Sequence, residues 1–162
     1  RPQLFRVTAM MNSSLSGILN DALGQQECRQ LLLVSRVGTL IASAVRDSEP
    51  LSPALAPIVA SNFATGSELS RLLGNGECEY LLQRGHRQDF FLCQIPRSGM
   101  ILAATFPVQV AESATLEFAT RLLNQIESLT PSLDAYADPL PLPPEIRQAS
   151  LSLLDQLFPA AA

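Results

Sequence analysis

The stretch "RQLLLVSRVGTLIASAV", Arg29 to Val45, decides the fold. It holds two runs rich in Leu, Val and Ile on either side of Val37-Gly38, and that pattern predicts a β-hairpin with the glycine near its turn. Upstream, Leu15, Ile18, Leu19, Ala22 and Leu23 recur at three and four between Ser13 and Gln26, the period of an amphipathic helix. Downstream, Ser52-Pro53 reads as a helix start, because a serine oxygen accepts free N–H groups and proline gives up one that would be unpaired. That second helix is expected to run to about Leu73 with Gly74 as its stop, Pro57 setting the regular part back to near Ala56.

Three further strands are predicted in "ECEYLLQR", "DFFLCQI" and "MILAATFPV", separated by the turn-prone "GHRQ" and "PRSG". In the first of them Cys78, Tyr80 and Leu82 alternate with Glu79, Leu81 and Gln83, which predicts one buried and one mixed face. Leu116, Ala119, Leu122, Leu123, Ile126 and Leu129 mark a last domain helix, ended by Pro131. The order is helix, two strands, helix, three strands, helix. It predicts an α+β fold in which a five-stranded, mainly antiparallel sheet is sandwiched by helices.

The domain is expected over residues 14–129, after an N-terminal extension at 1–13. From 130 to 144 the chain carries five prolines in fifteen positions, which predicts an extended, semi-stiff linker. Residues 145–158 are then expected to wind into a short amphipathic helix. Ile146, Leu151, Leu153, Leu154, Leu157 and Phe158 fall on one side of it, and Glu145, Gln148, Ser152, Asp155 and Gln156 on the other. A helix this short gains its stability from packing, so it is expected to order on a partner.

With 162 residues and 47% hydrophobic composition, the chain is long enough for one domain with a true core. A net charge of −4 and 11 thinly spread basic residues leave no stripe to bind nucleic acid or an acidic membrane. No apolar run suggests a membrane span and no signal pattern opens the chain, so a cytoplasmic protein is expected. Cys28, Cys78 and Cys93 lack CxxC spacing and read as reduced packing residues rather than zinc ligands.

The residue types that carry catalysis are sparse. The one histidine, His86, lies in the polar turn "RGHRQD", with no nucleophile elbow to pair with it. No HExxH, GxxxxGK[ST] or GxGxxG occurs, and "GNGE" at 74–77 is a helix stop and turn. Scattered single carboxylates build neither a catalytic pair nor a calcium loop. The expectation is a non-enzymatic protein without metal or cofactor, whose function is to bind other proteins.

The succession "LLLVSRVGTLIASAV", "LAPIVASNFATGSELSRLLG", "LLQRG", "DFFLCQI" and "MILAATFPV" resembles the roadblock/light-chain family of longin-like domains. Within it the chain is most similar to the bacterial MglB-type polarity proteins, which also often end in a linker and a short helix of the kind "SLLDQLF". The resemblance implies a roadblock-like homodimer joined through the second helix and third strand, with Leu69, Leu72, Glu79, Leu81 and Gln83 at the interface. It implies a partner too, a Ras-like small GTPase of the MglA type. Its GTP hydrolysis would be stimulated by reshaping its switch regions, without an arginine finger. Ser61, Ala64, Thr65, Glu68 and Arg71, a small or polar stripe on the second helix, would form the platform, Arg71 as a rim contact. Leu151, Leu154, Leu157 and Phe158 of the C-terminal helix would reach a second site on the GTPase and promote nucleotide exchange. Concentration at a cell pole is the implied location. Two other readings stay open: a purely structural dimerisation module of roadblock type, and a small-molecule sensor, which would need a polar-lined cavity.

Overall fold

The computed structural model describes residues 2–25, 28–46, 51–96 and 98–129, with side chains from residue 13 onward except at 25, so the expected linker and C-terminal helix lie outside the described residues. The chain folds as α1 (Pro2–Gln25), β1 (Gln30–Val34), β2 (Leu40–Val45), α2 (Leu55–Leu72), β3 (Tyr80–Gln83), β4 (Gln88–Gln94), β5 (Ile101–Pro107) and α3 (Glu112–Leu129). The strands form one sheet in the order β2-β1-β5-β4-β3. All its pairings are antiparallel. The α+β architecture read from the sequence is therefore the one present.

Register explains why the central strands read as unbroken apolar runs. Leu33 pairs with Leu102, and together with Leu31, Ala104, Phe91 and Cys93 they face α1 and α3, where Leu15, Leu19, Phe118, Leu122 and Ile126 close the larger core. The alternate residues, Leu32, Val34, Leu92, Ile101 and Ala103, face α2 and its Ala56, Val59, Ala60 and Phe63. A strand buried on both faces has no polar alternation to show. Each such side chain contributes roughly 1.5–3 kcal/mol when fully buried.

Several boundaries differ from those expected. The helix α1 begins at Pro2 rather than near Ser13. Apolar periodicity is read from Leu15 onward, and no proline or glycine between 3 and 14 stops a helix already nucleated. Ser52 does not cap α2 with its side chain. Ala54 stands at the cap without a side-chain bond, and Leu55 N–H donates to the Ser52 carbonyl at 3.0 Å. Pro57 lies in the first turn, where its missing N–H has no helical acceptor to lose. Gly74 does stop the helix, in the left-handed region at φ 74°. The strand β3 is only four residues long. Cys78 precedes it and packs on the α2 side, so it does not share a face with Tyr80 and Leu82, which join the α1/α3 core.

Candidate protein-interaction surface

Helix α2 turns 100° per residue and so presents three faces. The inner one, Ala56, Val59, Ala60 and Phe63, is buried on the sheet. A second, Ile58, Asn62, Thr65, Leu69 and Leu72, runs along the outside at alternating steps of four and three, the spacing of a helix-pairing seam. Its apolar members are bare: Ile58 is 58%, Leu69 56% and Leu72 68% exposed, with Leu73 beside them at 65%. The third face is small or polar and carries Ala64, Glu68 and Arg71, with Ser61 at its border with the seam. The apolar residues of this helix therefore do not act as one set of anchors. Val59 and Phe63 point inward, whereas Ile58, Leu69, Leu72 and Leu73 point out.

The seam runs next to an open strand edge. β3 pairs with β4 on one side and with no other described strand. Asn62 Nδ2 donates to Gln83 Oε1 at 3.1 Å, tying the seam to that edge. Glu79 and Gln83 are exposed, while Leu81 is half-buried and packs into the protomer's own core under α2. Behind the strand, Arg84 forms an ion pair with the buried Asp89, whose other oxygen accepts from Gly85 N–H at 3.3 Å. Tyr80 Oη donates to Glu112 Oε1 at 3.1 Å, which pins the strand to the first turn of α3. Asp89 opens an apolar run in the sequence, and nothing local announces a buried carboxylate there.

The structure divides the five expected platform residues between two flanks of α2. Ser61 and Thr65 line a shallow hollow of about 410 Å³ together with Pro57, Ile58 and Asn62. Ala64, Glu68 and Arg71 line a groove of about 490 Å³ on the other flank, facing Arg36, Gln94 and the Gly76–Cys78 loop. Arg71 and Glu68 form a two-pronged ion pair, Nε to Oε2 at 2.9 Å and Nη2 to Oε1 at 2.6 Å. That pairing holds the Glu68 carboxyl below its ordinary range. Both side chains are more than half exposed, so the pair orients Arg71 along the helix rather than adding much stability. Arg36 and Gln94 come from distant turns and strand ends, and spacing along α2 gives no sign of them.

The remaining chemistry is structural. Burial pushes the Cys28 and Cys93 thiols up to about 12 and raises that of Cys78 as well. His86 is exposed in its turn. Among the described residues no group of three His, Cys, Asp or Glu is placed to hold a metal ion. No described helix is long and apolar enough to cross a membrane.

Neither a family model nor a curated protein matches the sequence. Solved structures do match. MglB of Myxococcus xanthus superposes with a TM-score of 0.67 at 18% identity, over 74% of this chain and 97% of that one. The gliding protein MglB of Thermus thermophilus gives 0.63 at 20% identity, over 74% and 90%. A roadblock/LC7 domain of Streptomyces avermitilis gives 0.63 at 12% identity, over 71% and 96%. At such identities the likeness is one of fold, and the fold of this chain is roadblock-like.

Proposed function

We propose that the protein is a non-enzymatic, homodimeric regulator of a Ras-like small GTPase of the MglA type. The observation that carries this reading is the bare seam Ile58–Asn62–Thr65–Leu69–Leu72 lying beside the open edge of β3. Such a seam next to an unpaired strand favours a second copy, which covers the apolar stripe and continues the ladder in one step. In that dimer Leu69 and Leu72 supply the helix contact. Glu79 and Gln83 flank the strand contact, and Leu81 contributes its backbone rather than its inward-turned side chain.

Pairing the two α2 helices leaves their polar flanks outward as the platform. With Arg71 bound to Glu68, stimulation is assigned to reshaping of the GTPase switch regions rather than to an arginine delivered to the phosphates. The expected division into an N-terminal extension, a domain at 14–129, a linker and a C-terminal helix stays part of this reading. In it Leu151, Leu154, Leu157 and Phe158 contact a second site on the GTPase, and the linker sets how far they reach.

Single-turnover GTP hydrolysis by the MglA-type GTPase of the same organism, with and without this protein, tests the reading. Acceleration is expected. Tight binding with an unchanged rate would replace it by the scaffold alternative, a dimerisation module without effect on turnover, for which the seam alone suffices. Deleting residues 145–162 should leave the dimer intact and weaken GTPase binding or slow exchange.

A further inference from the structure

Behind Ala64 the groove deepens into a cleft of about 210 Å³. Its floor is apolar and formed by Ala60, Phe63 and Ile101, none more than 5% exposed. Its mouth is polar and formed by Arg36, Ser67 and Gln94. The cleft exists because α2 places the small residues Ala60, Ala64 and Ser67 on this flank, and because the β4–β5 turn closes through Gly99. That glycine sits at φ 65°, and a Cβ on it would stand 2.7 Å from Arg36 Nε. The guanidinium leans on this bare backbone, its Nε donating to the Gly99 carbonyl at 3.3 Å. The arginine is thereby held at the mouth with its terminal amino groups available to an acceptor. It is the only charged residue among those described as lining the cleft, whereas Arg71 in the outer groove is already bound to Glu68.

Resting on the GTPase reading above, we infer that this cleft is the anchor pocket of the platform. It takes one large apolar side chain from the GTPase, with a carboxylate beside it in the partner's chain meeting Arg36. The volume lies below the roughly 300 Å³ at which small-molecule sites begin. An apolar floor inside a polar rim is the arrangement in which interface energy concentrates. A bidentate-capable guanidinium at the mouth selects a carboxylate by charge and by shape.

The test uses the full chain and the MglA-type GTPase of the same organism, loaded with a non-hydrolysable GTP analogue, with affinity read by calorimetry. Arg36→Gln is expected to weaken binding about tenfold, Arg36→Glu more than that, and Ser67→Leu, which fills the cleft, at least about tenfold. Arg121→Gln, on the exposed side of α3, serves as the charge control and should stay within about twofold of wild type. Added salt should weaken the wild type more than Arg36→Gln. Arg36 is exposed, so its variants remain folded even if Ser67→Leu does not. Wild-type binding that both Arg36 variants retain in full overturns the anchor pocket and leaves the GTPase reading standing. Absence of any wild-type binding overturns both.

Discussion

A Cβ placed on Gly66 would stand 2.5 Å from Cδ1 of Leu81, so α2 rests directly on the edge strand β3 at a point where the bare glycine seats that side chain. Two effects oppose each other there. Gly66→Ala gains up to about 1 kcal/mol of helix propensity but must push aside a flexible side-chain end, and the net change is expected to be under about 1 kcal/mol. Gly66→Leu cannot be absorbed in this way and should cost about 1–3 kcal/mol while loosening the dimer. Urea unfolding with sedimentation checks both, and a Gly66→Leu protein as stable and as dimeric as wild type would contradict this seating.

Leu69→Glu and Leu72→Glu should convert the proposed dimer to a monomer with little change in monomer stability, because both side chains are more than half exposed within the protomer. Light scattering across a dilution series reads the outcome. Undisturbed dimers in both variants would sink the seam.

At the proposed platform, Ala64→Arg is expected to abolish GTPase binding and spare the proposed dimer, since Ala64 is exposed on the polar flank away from the seam. An arginine there adds bulk at the mouth of the cleft, where the two surfaces must approach closely. Calorimetry on a variant shown to be dimeric decides the matter, and full affinity would reject the platform.

Two left-handed glycines, one in the β1–β2 turn and one at the end of α2, should behave differently. At Gly38, φ 83°, a Cβ would meet the Pro57 backbone at 2.8 Å, whereas at Gly74, φ 74°, it would meet nothing. Gly74→Ala should therefore cost only the conformational penalty of about 1–2 kcal/mol. Gly38→Ala should cost clearly more, because a backbone has to move as well. Equal unfolding free energies for the two variants would show that the Gly38–Pro57 contact does not hold in solution.

Asp89→Asn removes the charge from a buried group while leaving Arg84 half exposed. Breaking a buried pair costs about 3–5 kcal/mol, and water at Arg84 reduces the expected loss to about 1–3 kcal/mol. The loss should appear together with a weakening of the proposed dimer, since the pair closes the β3–β4 turn beside the strand edge. Stability lost with the dimer constant unchanged would separate the two roles.

The buried thiols predict a pH dependence. Cys28 and Cys93 ionise near 9.0 in an unfolded chain and near 12 when folded, because burial disfavours the thiolate. Their stabilising contribution is complete below pH 9.0 and falls as pH rises toward 12. The slope is about 1.4 kcal/mol per pH unit for each thiol. Urea midpoints measured across that range should fall, and the fall should shrink in a Cys28→Ala, Cys93→Ala protein. A double variant with the same decline would assign it to other groups.

Much of this fold is legible from local pattern, because Gly38 and Gly74 punctuate the chain where they stand and the apolar runs of β1 and β5 have no other use than burial on both faces. The faces of α2 are less so. Hydrophobicity groups Val59 and Phe63 with Leu69 and Leu72, and it does not say that the first pair meets the sheet and the second meets solvent. Helical spacing also puts Ala64 and Thr65 on one stripe, but what stands opposite each flank depends on Arg36, Gln94 and the Gly76–Cys78 loop, which only the closed sheet brings near. The Arg84–Asp89 pair is hidden for the same reason, since whether a carboxylate is buried depends on neighbours and not on its own run.

The strand at the middle of the sheet is the last to be made. β5 lies between β1 and β4, so Leu33 waits for Leu102. A ribosome releasing this chain produces a first hairpin and α2 well before the strand that completes their floor, and the exposed side of β1 must stay unpaired until then. In the finished sheet β5 is the clasp, the one strand that joins the β1–β2 hairpin to the β3–β4 hairpin. The exposed loop from Gly74 to Glu77 is the hinge of that clasp. A chain nicked there would yield two complementary pieces, neither owning a finished sheet and each supplying what the other lacks.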